Sequence, residues 1–209
     1  MKPTTLNESF ETFHALCDHP PQNPLKLLQE WLEEAEILKI VEPRGMVLST
    51  VDTDKKPSSR VVLLKIIDEK GVIFVSSETS KKGKDLQLNP MAAGTLWWRE
   101  TMQQINFYGC VTKLSSDVAD RLFYERRREA QAVAAASHQS SPLINEHDLR
   151  QQVIELVNAP GNIKRPECWQ AYHIAIEEIE FFYGSQIRFH NRLRYGLIKG
   201  VWAHQRLQP

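Results

Sequence analysis

Ser58-Ser59-Arg60-Val61-Val62-Leu63-Leu64-Lys65 is the stretch on which the reading turns. Four consecutive apolar residues, two of them β-branched, follow Pro57 and a pair of serines, the signature of a β-strand. A cation stands at each end. Side chains alternate along a strand, so Arg60, Val62 and Leu64 are expected on one face and Val61, Leu63 and Lys65 on the other. Two cations so placed cannot grip one small group from the same flat surface. They suit two parts of a long anionic ligand, or one ligand lying across a strand edge. The plainer account is a buried strand with solvated ends, and spacing alone favours it.

The neighbours of this stretch extend the pattern. Gly45 to Val51 reads as a strand, and Asp52-Thr53-Asp54-Lys55-Lys56-Pro57 as a turn, so the two strands form a hairpin. Asp68-Glu69-Lys70-Gly71 turns into a third strand, Val72 to Ser77. Short connections between the three argue for an antiparallel meander. Ser80 then caps a short helix whose first turn holds Lys81 and Lys82. A hydroxyl, two ammonium groups and free backbone N–H groups there make a phosphate site, although lysines also occupy solvated turns for solubility alone. Ala92 to Trp98 and Gln103 to Val111 are two further strands. The adjacent Trp97 and Trp98 must point to opposite faces, one to the core and one to an interface or ligand. Gln104 opens its strand, where a carboxamide can meet a polar ring edge or simply face solvent.

Before these strands, Asn23-Pro24 gives a helix cap with proline in the first turn. Leu25, Leu28, Trp31, Leu32, Ala35 and Leu38 recur at helical spacing and mark an amphipathic helix. Residues 1–22, polar and containing Pro20-Pro21, are expected to be a flexible arm, with a single domain over 23–209. After the strands, a helix is expected from Ser115 through Leu122 and Phe123 into Arg126-Arg127-Arg128, another over about 146–157, and strands over 169–176 and 178–183. The flanked arginines read first as a solvated helix face with local ion pairs, and second as an anion site built on one guanidinium. Arg188, His190 and Arg192 alternate, so in extended chain they share a face: an anion site with an acid–base group, or a basic edge strand.

Composition limits what this constellation can do. The chain has 209 residues, with 26 acidic and 26 basic, which removes the global electrostatic footprint of a nucleic-acid or anionic-membrane binder. No apolar run approaches a bilayer span, and the first residues lack the apolar core of a signal peptide. Three scattered cysteines give neither a disulfide framework nor zinc spacing, and the expectation is a cytoplasmic protein without metal.

Taken in order, Arg60-Val61-Val62-Leu63-Leu64-Lys65, Ser80-Lys81-Lys82, Gln104, Gln139-Ser140-Ser141, Arg188-Phe189-His190-Asn191-Arg192 and Arg206-Leu207 resemble the pyridoxamine 5′-phosphate oxidase family. The resemblance spans about 23–209. It implies a mainly β (α+β) fold, an antiparallel FMN-binding split β-barrel with flanking helices. It also implies a homodimer with FMN in clefts between subunits, a small aromatic anionic substrate, and dioxygen as electron acceptor. By the same resemblance Arg60, Val61, Leu63, Lys65, Val75, Ser76, Lys81 and Lys82 hold the flavin from one chain. Gln104, Gln139, Ser140 and Arg192 reach it from the other, and Phe182 stands where the family has a tryptophan. Arg188 and His190 match residues over the substrate ring and are the catalytic candidates. Of four phosphate ligands for the substrate, Lys65 and Arg126 are present, whereas Leu122 and Ala130 replace a tyrosine and a serine. Gly94 to Thr101, Arg165-Pro166-Glu167, and Arg192-Leu193-Arg194-Tyr195 with the ending Arg206-Leu207-Gln208-Pro209 are similar to a sister group, the flavin oxidases of phenazine biosynthesis, whose reduced tricyclic substrates carry carboxylates. The expectation is therefore an oxidase of a dihydro- or tetrahydrophenazine carboxylate. The alternatives are a pyridoxine/pyridoxamine 5′-phosphate oxidase and a flavin-binding protein without turnover.

Overall fold

The computed structural model describes residues 6–209, with side chains from Glu11 onward. Its centre is one long strand, β7 (Trp169–Tyr183), where the sequence suggested two. One edge of β7 pairs with β6 (Gln103–Lys113). The other edge is shared: β4 (Gly71–Ser77) takes residues 169–175, and β8 (Asn191–Ile198) takes residues 178–183. The sheet runs β2-β1-β5-β6-β7-β4-β3, with β9 (Val201–Arg206) beyond β8. Here β1 is Gly45–Val51, β2 Pro57–Leu63, β3 Ile66–Ile67 and β5 Met91–Trp98.

The β1–β2 hairpin has the expected turn, with Asp52 accepting from Asp54 N and Lys56 N. The expected meander does not form. β4 pairs with β7 and with the two-residue β3, and β2 lies at the opposite edge of the sheet. Leu64 and Lys65 cross between the edges: Leu64 N donates to Arg44 O at 2.9 Å and Lys65 N to Ile73 O at 2.7 Å. The sheet thus curls into an antiparallel barrel that is stitched at one corner and left split elsewhere. A continuous strand over 60–65 would have blocked this crossing. β2 stops at Leu63, and Leu64 turns fully inward.

The bend has its own requirement at Gly109, where the β6–β7 register shifts. A Cβ there would stand 1.9 Å from Ala175 O, so only glycine lets the strands approach.

Helix α2 (Pro24–Ile37) begins as its sequence demands: Asn23 Oδ1 accepts from Leu25 N at 2.9 Å, and Pro24 fills the first turn. Its buried stripe is Leu25, Leu28, Trp31, Leu32 and Ala35, joined by Leu27; Leu38 is the C-cap and 44% exposed. This stripe plugs the barrel, and Trp31 packs edge-on against Phe181 at 5.2 Å. Truncating Leu28, wholly buried, would cost roughly 2–5 kcal/mol.

Part of the segment expected to be a flexible arm is helical and packs on the core. Leu6–Leu16 is helix α1, and Phe13 and Cys17 are in the core. Phe13 meets Trp31 at 5.0 Å, and Arg206 donates to Asp18. Polarity averaged over the segment hid these two inward positions. Residues 1–5 of that expectation lie outside the described residues.

A second core on the far side of β4 and β7 holds Ile73, Leu122, Phe123, Ala132, Ile163 and Trp169. Helices α4 (Ser116–Tyr124), α5 (Arg128–Ala136) and α6 (Glu146–Asn158) cover it. The chain breaks between α4 and α5, so the arginines do not form the expected solvated helix face. Arg126 turns inward. Arg128 donates to the carbonyls of Leu156, Val157, Ala159 and Gly161 and ties the end of α6 to α5.

Candidate active site

Between β2, β4, α3 (Lys81–Leu88) and α5 lies a cleft of about 530 Å³. Arg60, Lys65, Lys81, Lys82 and Arg126 line it, and among the described residues no carboxylate does. In a chain whose formal charges balance, this is a concentrated positive site.

The inner end is built from β1, β2 and the start of α3. Arg60 is braced by its own sheet: Nη1 donates to Leu48 O at 3.2 Å and Thr50 Oγ1 at 2.8 Å, and Nη2 to Ser58 Oγ at 2.5 Å. Behind them the buried Asp85 accepts from Thr50 Oγ1 at 2.7 Å and Ser58 Oγ at 3.3 Å. Burial pushes the Arg60 guanidinium down from its usual range, with Asp85 opposing.

Ser80 caps α3 as expected and accepts from Gly83 N at 3.3 Å. Gly83 is required there because a Cβ would stand 2.4 Å from Glu78 O. Lys82 is 5% exposed. Its Nζ donates to Ser76 Oγ at 3.0 Å, Ser80 Oγ at 3.2 Å and Gln139 Oε1 at 3.2 Å, all neutral acceptors. Burial, and then the nearby Arg60 charge, lower this ammonium to about 8. A buried cation whose acceptors are all neutral is a setting that favours an anionic ligand. Lys81 is anchored on Asp52 and Asp85 at 3.4 and 3.3 Å, and its backbone N–H donates to Ser140 Oγ at 3.2 Å.

The outer end is apolar and aromatic. Val61 and Leu63 are exposed along β2, with Val75 and Val133 nearby in the lining. Arg126 lies over the Trp169 ring at 5.4 Å. Its Nη1 is buried without a hydrogen-bond partner, and burial lowers the guanidinium's pKa. Leu122, expected from the resemblance to stand where the family has a tyrosine, is locked in the second core at 2% exposure.

The structure brings Arg60, Val61, Leu63, Lys65, Val75, Ser76, Lys81, Lys82, Arg126, Gln139 and Ser140 together in one cleft of one chain. For Gln139 and Ser140 this is a correction. They were expected to arrive from a second chain, but after α5 the chain folds back over α3 and sets them on Lys82 and Lys81. Arg60 and Lys65 share the cleft because Lys65 lies past the strand, on the crossing, and not on the opposite face of β2.

Gln104, Phe182 and Arg192 on neighbouring strands, with His190 just before β8, form a second group. Gln104 stands opposite Phe182, and Phe182 opposite Arg192. The Phe182 and His190 rings are 4.9 Å apart. Arg192 makes a fork with Glu180 at 2.7 and 3.1 Å. Arg188 does not alternate with its neighbours in a strand; it sits in the turn before β8 with φ +67. The first group meets β7 near Gln170 and the second near Phe182, about 40 Å apart along the strand at roughly 3.3 Å per residue.

Sequence reasoning missed Trp169 and the Thr50–Ser58–Asp85 brace. Ser58 was visible as the residue two before Arg60 on the same strand face; nothing marked Trp169 apart from its aromatic size.

A split antiparallel barrel with a cationic, part-aromatic cleft defines a class, the flavin oxidases of split-barrel fold. The chain belongs to the pyridoxamine 5′-phosphate oxidase family. Residues 32–158 match the family model "Pyridoxamine 5'-phosphate oxidase", and residues 169–209 match "Pyridoxine 5'-phosphate oxidase C-terminal dimerisation region". It is therefore an oxidase. Among its relatives, dihydrophenazinedicarboxylate synthase of Pseudomonas chlororaphis is 37% identical, covering 91% of this chain and 86% of the relative. The pyridoxine/pyridoxamine 5′-phosphate oxidase of Mannheimia succiniciproducens is 39% identical, covering 92% and 90%. The crystal structure of PhzG from Burkholderia lata in complex with tetrahydrophenazine-1-carboxylic acid superposes with a TM-score of 0.90 at 37% identity, covering 93% and 96%.

Proposed function

We propose that the protein is an FMN-dependent oxidase that oxidises a dihydro- or tetrahydrophenazine carboxylate, with dioxygen as electron acceptor. The residues present fit the cofactor. Lys82 is a buried cation with only neutral partners, and it stands beside Arg60, Ser76 and the start of α3, a set suited to the flavin phosphate. Arg60, Lys81, Lys82, Ser76, Gln139 and Ser140 would hold that phosphate, and Val61, Leu63, Lys65 and Val75 would line the ring. When bound, the flavin supplies hydride acceptance at N5 and reoxidation by dioxygen.

One observation carries the choice of substrate. Arg126 offers a guanidinium with a buried nitrogen that has no hydrogen-bond partner among the described residues, over an aromatic ring, and Leu122 and Ala130, which the resemblance sets where the family has a tyrosine and a serine, carry no hydrogen-bonding side chain. One fork matches one carboxylate on a flat ring system. A phosphate dianion would lack two of its four ligands. The relative named dihydrophenazinedicarboxylate synthase and the PhzG complex support the same reading. Lys65, together with the Mannheimia relative, favours the second reading, a pyridoxine/pyridoxamine 5′-phosphate oxidase.

The site as proposed takes both groups of residues. Gln104, Phe182, Arg188, His190 and Arg192 lie too far along β7 to reach a ligand in their own cleft. A two-fold homodimer would bring them to the partner's cleft, and the match to a dimerisation region over 169–209 supports that assembly.

The test is anaerobic mixing of purified, flavin-loaded protein with a reduced phenazine carboxylate and, separately, with pyridoxamine 5′-phosphate, followed by flavin absorbance. Rapid bleaching by the phenazine alone is expected. Bleaching by pyridoxamine 5′-phosphate alone would establish the second reading, and bleaching by neither would leave a flavin-binding protein without turnover.

A further inference from the structure

The loop between β7 and β8 holds a contact that the reading above does not use. Gly184 N donates to Met102 O at 2.8 Å, which pins the loop's start to the β5–β6 turn. Arg188 N donates to Ser185 O at 3.1 Å and closes a tight turn, with Arg188 left-handed at φ +67. Across this loop the backbone N–H of Ser185 donates to His190 Nδ1 at 3.0 Å. On its other side the imidazole leans on the Phe182 ring, 4.9 Å away at 44°.

An imidazole nitrogen that accepts from an amide N–H presents its lone pair and carries no proton. A neutral imidazole has one proton, which therefore sits on Nε2. A doubly protonated ring would set a hydrogen on Nδ1 against the Ser185 N–H and open the loop.

We propose that His190 serves as a fixed hydrogen-bond donor to the substrate through Nε2–H, held in that tautomer by Ser185, and not as a proton acceptor. The proposal rests on the reading that residues 188–192 face the substrate. It narrows the chemistry. A donor needs an acceptor, so His190 engages a carboxylate oxygen or an unprotonated ring nitrogen. It cannot take the proton of a reduced ring N–H, because the nitrogen that faces the ligand already holds one. The Ser185 bond also joins two tasks: it orients the ring and closes the turn that presents Arg188.

Two measurements test this. The first uses cofactor-free protein labelled with 15N-histidine, with His190 assigned by the signals lost in His190→Gln. Nδ1 is expected as the unprotonated nitrogen and Nε2 as the protonated one. A protonated Nδ1, or fast averaging between the two nitrogens, would overturn the tautomer. The second compares variants in flavin-reduction kinetics. His190→Gln keeps an N–H donor at the reach of Nε2 but loses the bond from Ser185, so it should raise KM clearly less than His190→Leu, which should raise KM roughly tenfold, the worth of one hydrogen bond, with kcat little changed. If Gln and Leu lower kcat equally and strongly at unchanged KM, His190 moves a proton and the proposal falls. A protein that oxidises neither substrate would sink the functional reading, and the tautomer would then be decided by the NMR result alone.

Discussion

Lys82 offers a prediction whose size follows from the structure. Its ammonium is buried, has three neutral acceptors, and lies at about 8 where 10.5 is usual. At about 1.4 kcal/mol per pH unit, that difference makes the charged form roughly 3 kcal/mol less favourable than in an exposed lysine. The sign follows from linkage. Between pH 8 and 10.5 the unfolded chain binds more protons at this residue than the folded one, so the cofactor-free protein gains stability over that range. A bound phosphate restores the ammonium's preference for charge, so binding takes up a proton there. Affinity for FMN should then fall nearly tenfold per pH unit above about 8. Riboflavin, which lacks the phosphate but shares the ring, is the control. The measurement is the ratio of FMN to riboflavin affinity by fluorescence titration from pH 7 to 9.5. The ratio should be flat to about 8 and then drop by roughly an order of magnitude. In Lys82→Met the drop should vanish, and FMN affinity at pH 7 should be lower by about 2–3 kcal/mol, the range for hydrogen bonds to charged groups. A ratio that stays flat to pH 9.5 in the wild-type protein would refute the assignment of Lys82 to the phosphate.

Arg126→Gln should leave flavin binding intact and raise KM for the phenazine carboxylate by about 10–100-fold, as loss of a charged hydrogen bond implies, in anaerobic stopped-flow. Arg128→Ala removes donors to four carbonyls at the end of α6 and should cost roughly 2–3 kcal/mol in chemical denaturation, with faster hydrogen exchange in α6. Burial pushes the Asp68 carboxyl up, but hydrogen bonds from Lys70 N, Gly71 N and His173 outweigh it and hold the group below 3.8. Its stabilisation is therefore complete above the unfolded pKa and lost as pH falls through the lower folded value; in Asp68→Asn, acid unfolding should lose part of its steepness below about pH 4. Gly109→Ala, which would press a methyl onto Ala175 O, should cost more than about 3 kcal/mol or prevent folding, read by soluble yield and thermal melting.

Local periodicity gave away many of the elements but not their partners. The Asn23-Pro24 cap, the Leu25–Ala35 stripe, the β1–β2 turn and the Trp97/Trp98 split all follow from neighbours a few residues apart. In the structure Trp98 is buried, with Nε1 donating to Pro43 O at 2.9 Å, while Trp97 is 45% exposed. The route of β4 to β7 was invisible because the pairing spans about a hundred residues and either partner strand would satisfy the same alternation. The crossing at Leu64-Lys65 was hidden for a related reason: Leu64 continues the apolar run and looks like more strand, and only the two backbone bonds to Arg44 and Ile73 reveal the turn. Candidate site residues were legible through their family resemblance and not through spacing. Arg60 and Lys65 are five residues apart, and no local rule says that both would line one cleft. Arg126 and Arg128 show the limit most clearly. Two positions apart in one basic run, one turns to an aromatic ring with an unpartnered nitrogen and the other ties off a helix.

The division of residues along β7 has a consequence for how the enzyme would be regulated by concentration. Each chain carries the cationic cleft complete, but the aromatic and imidazole group stands at the far end of the same strand. If the two meet only across a two-fold interface, phosphate capture and ring chemistry separate on dilution. A monomer should still bind the phosphate through Arg60 and Lys82, and so retain weak affinity for FMN, while losing flavin reduction entirely. Leu197 and Ile198 at the end of β8 and Val201 at the start of β9 lie exposed at the β8–β9 hairpin, within the stretch that matches the dimerisation region, and β8 also carries Arg192. Charging that hairpin by Leu197→Glu should therefore weaken association without touching the cleft. Sedimentation and FMN titration on the same sample would then show a monomer that binds FMN more weakly and does not bleach with substrate. A monomer that is reduced at the wild-type rate would mean that one chain holds the whole site, and the far group on β7 would need another role.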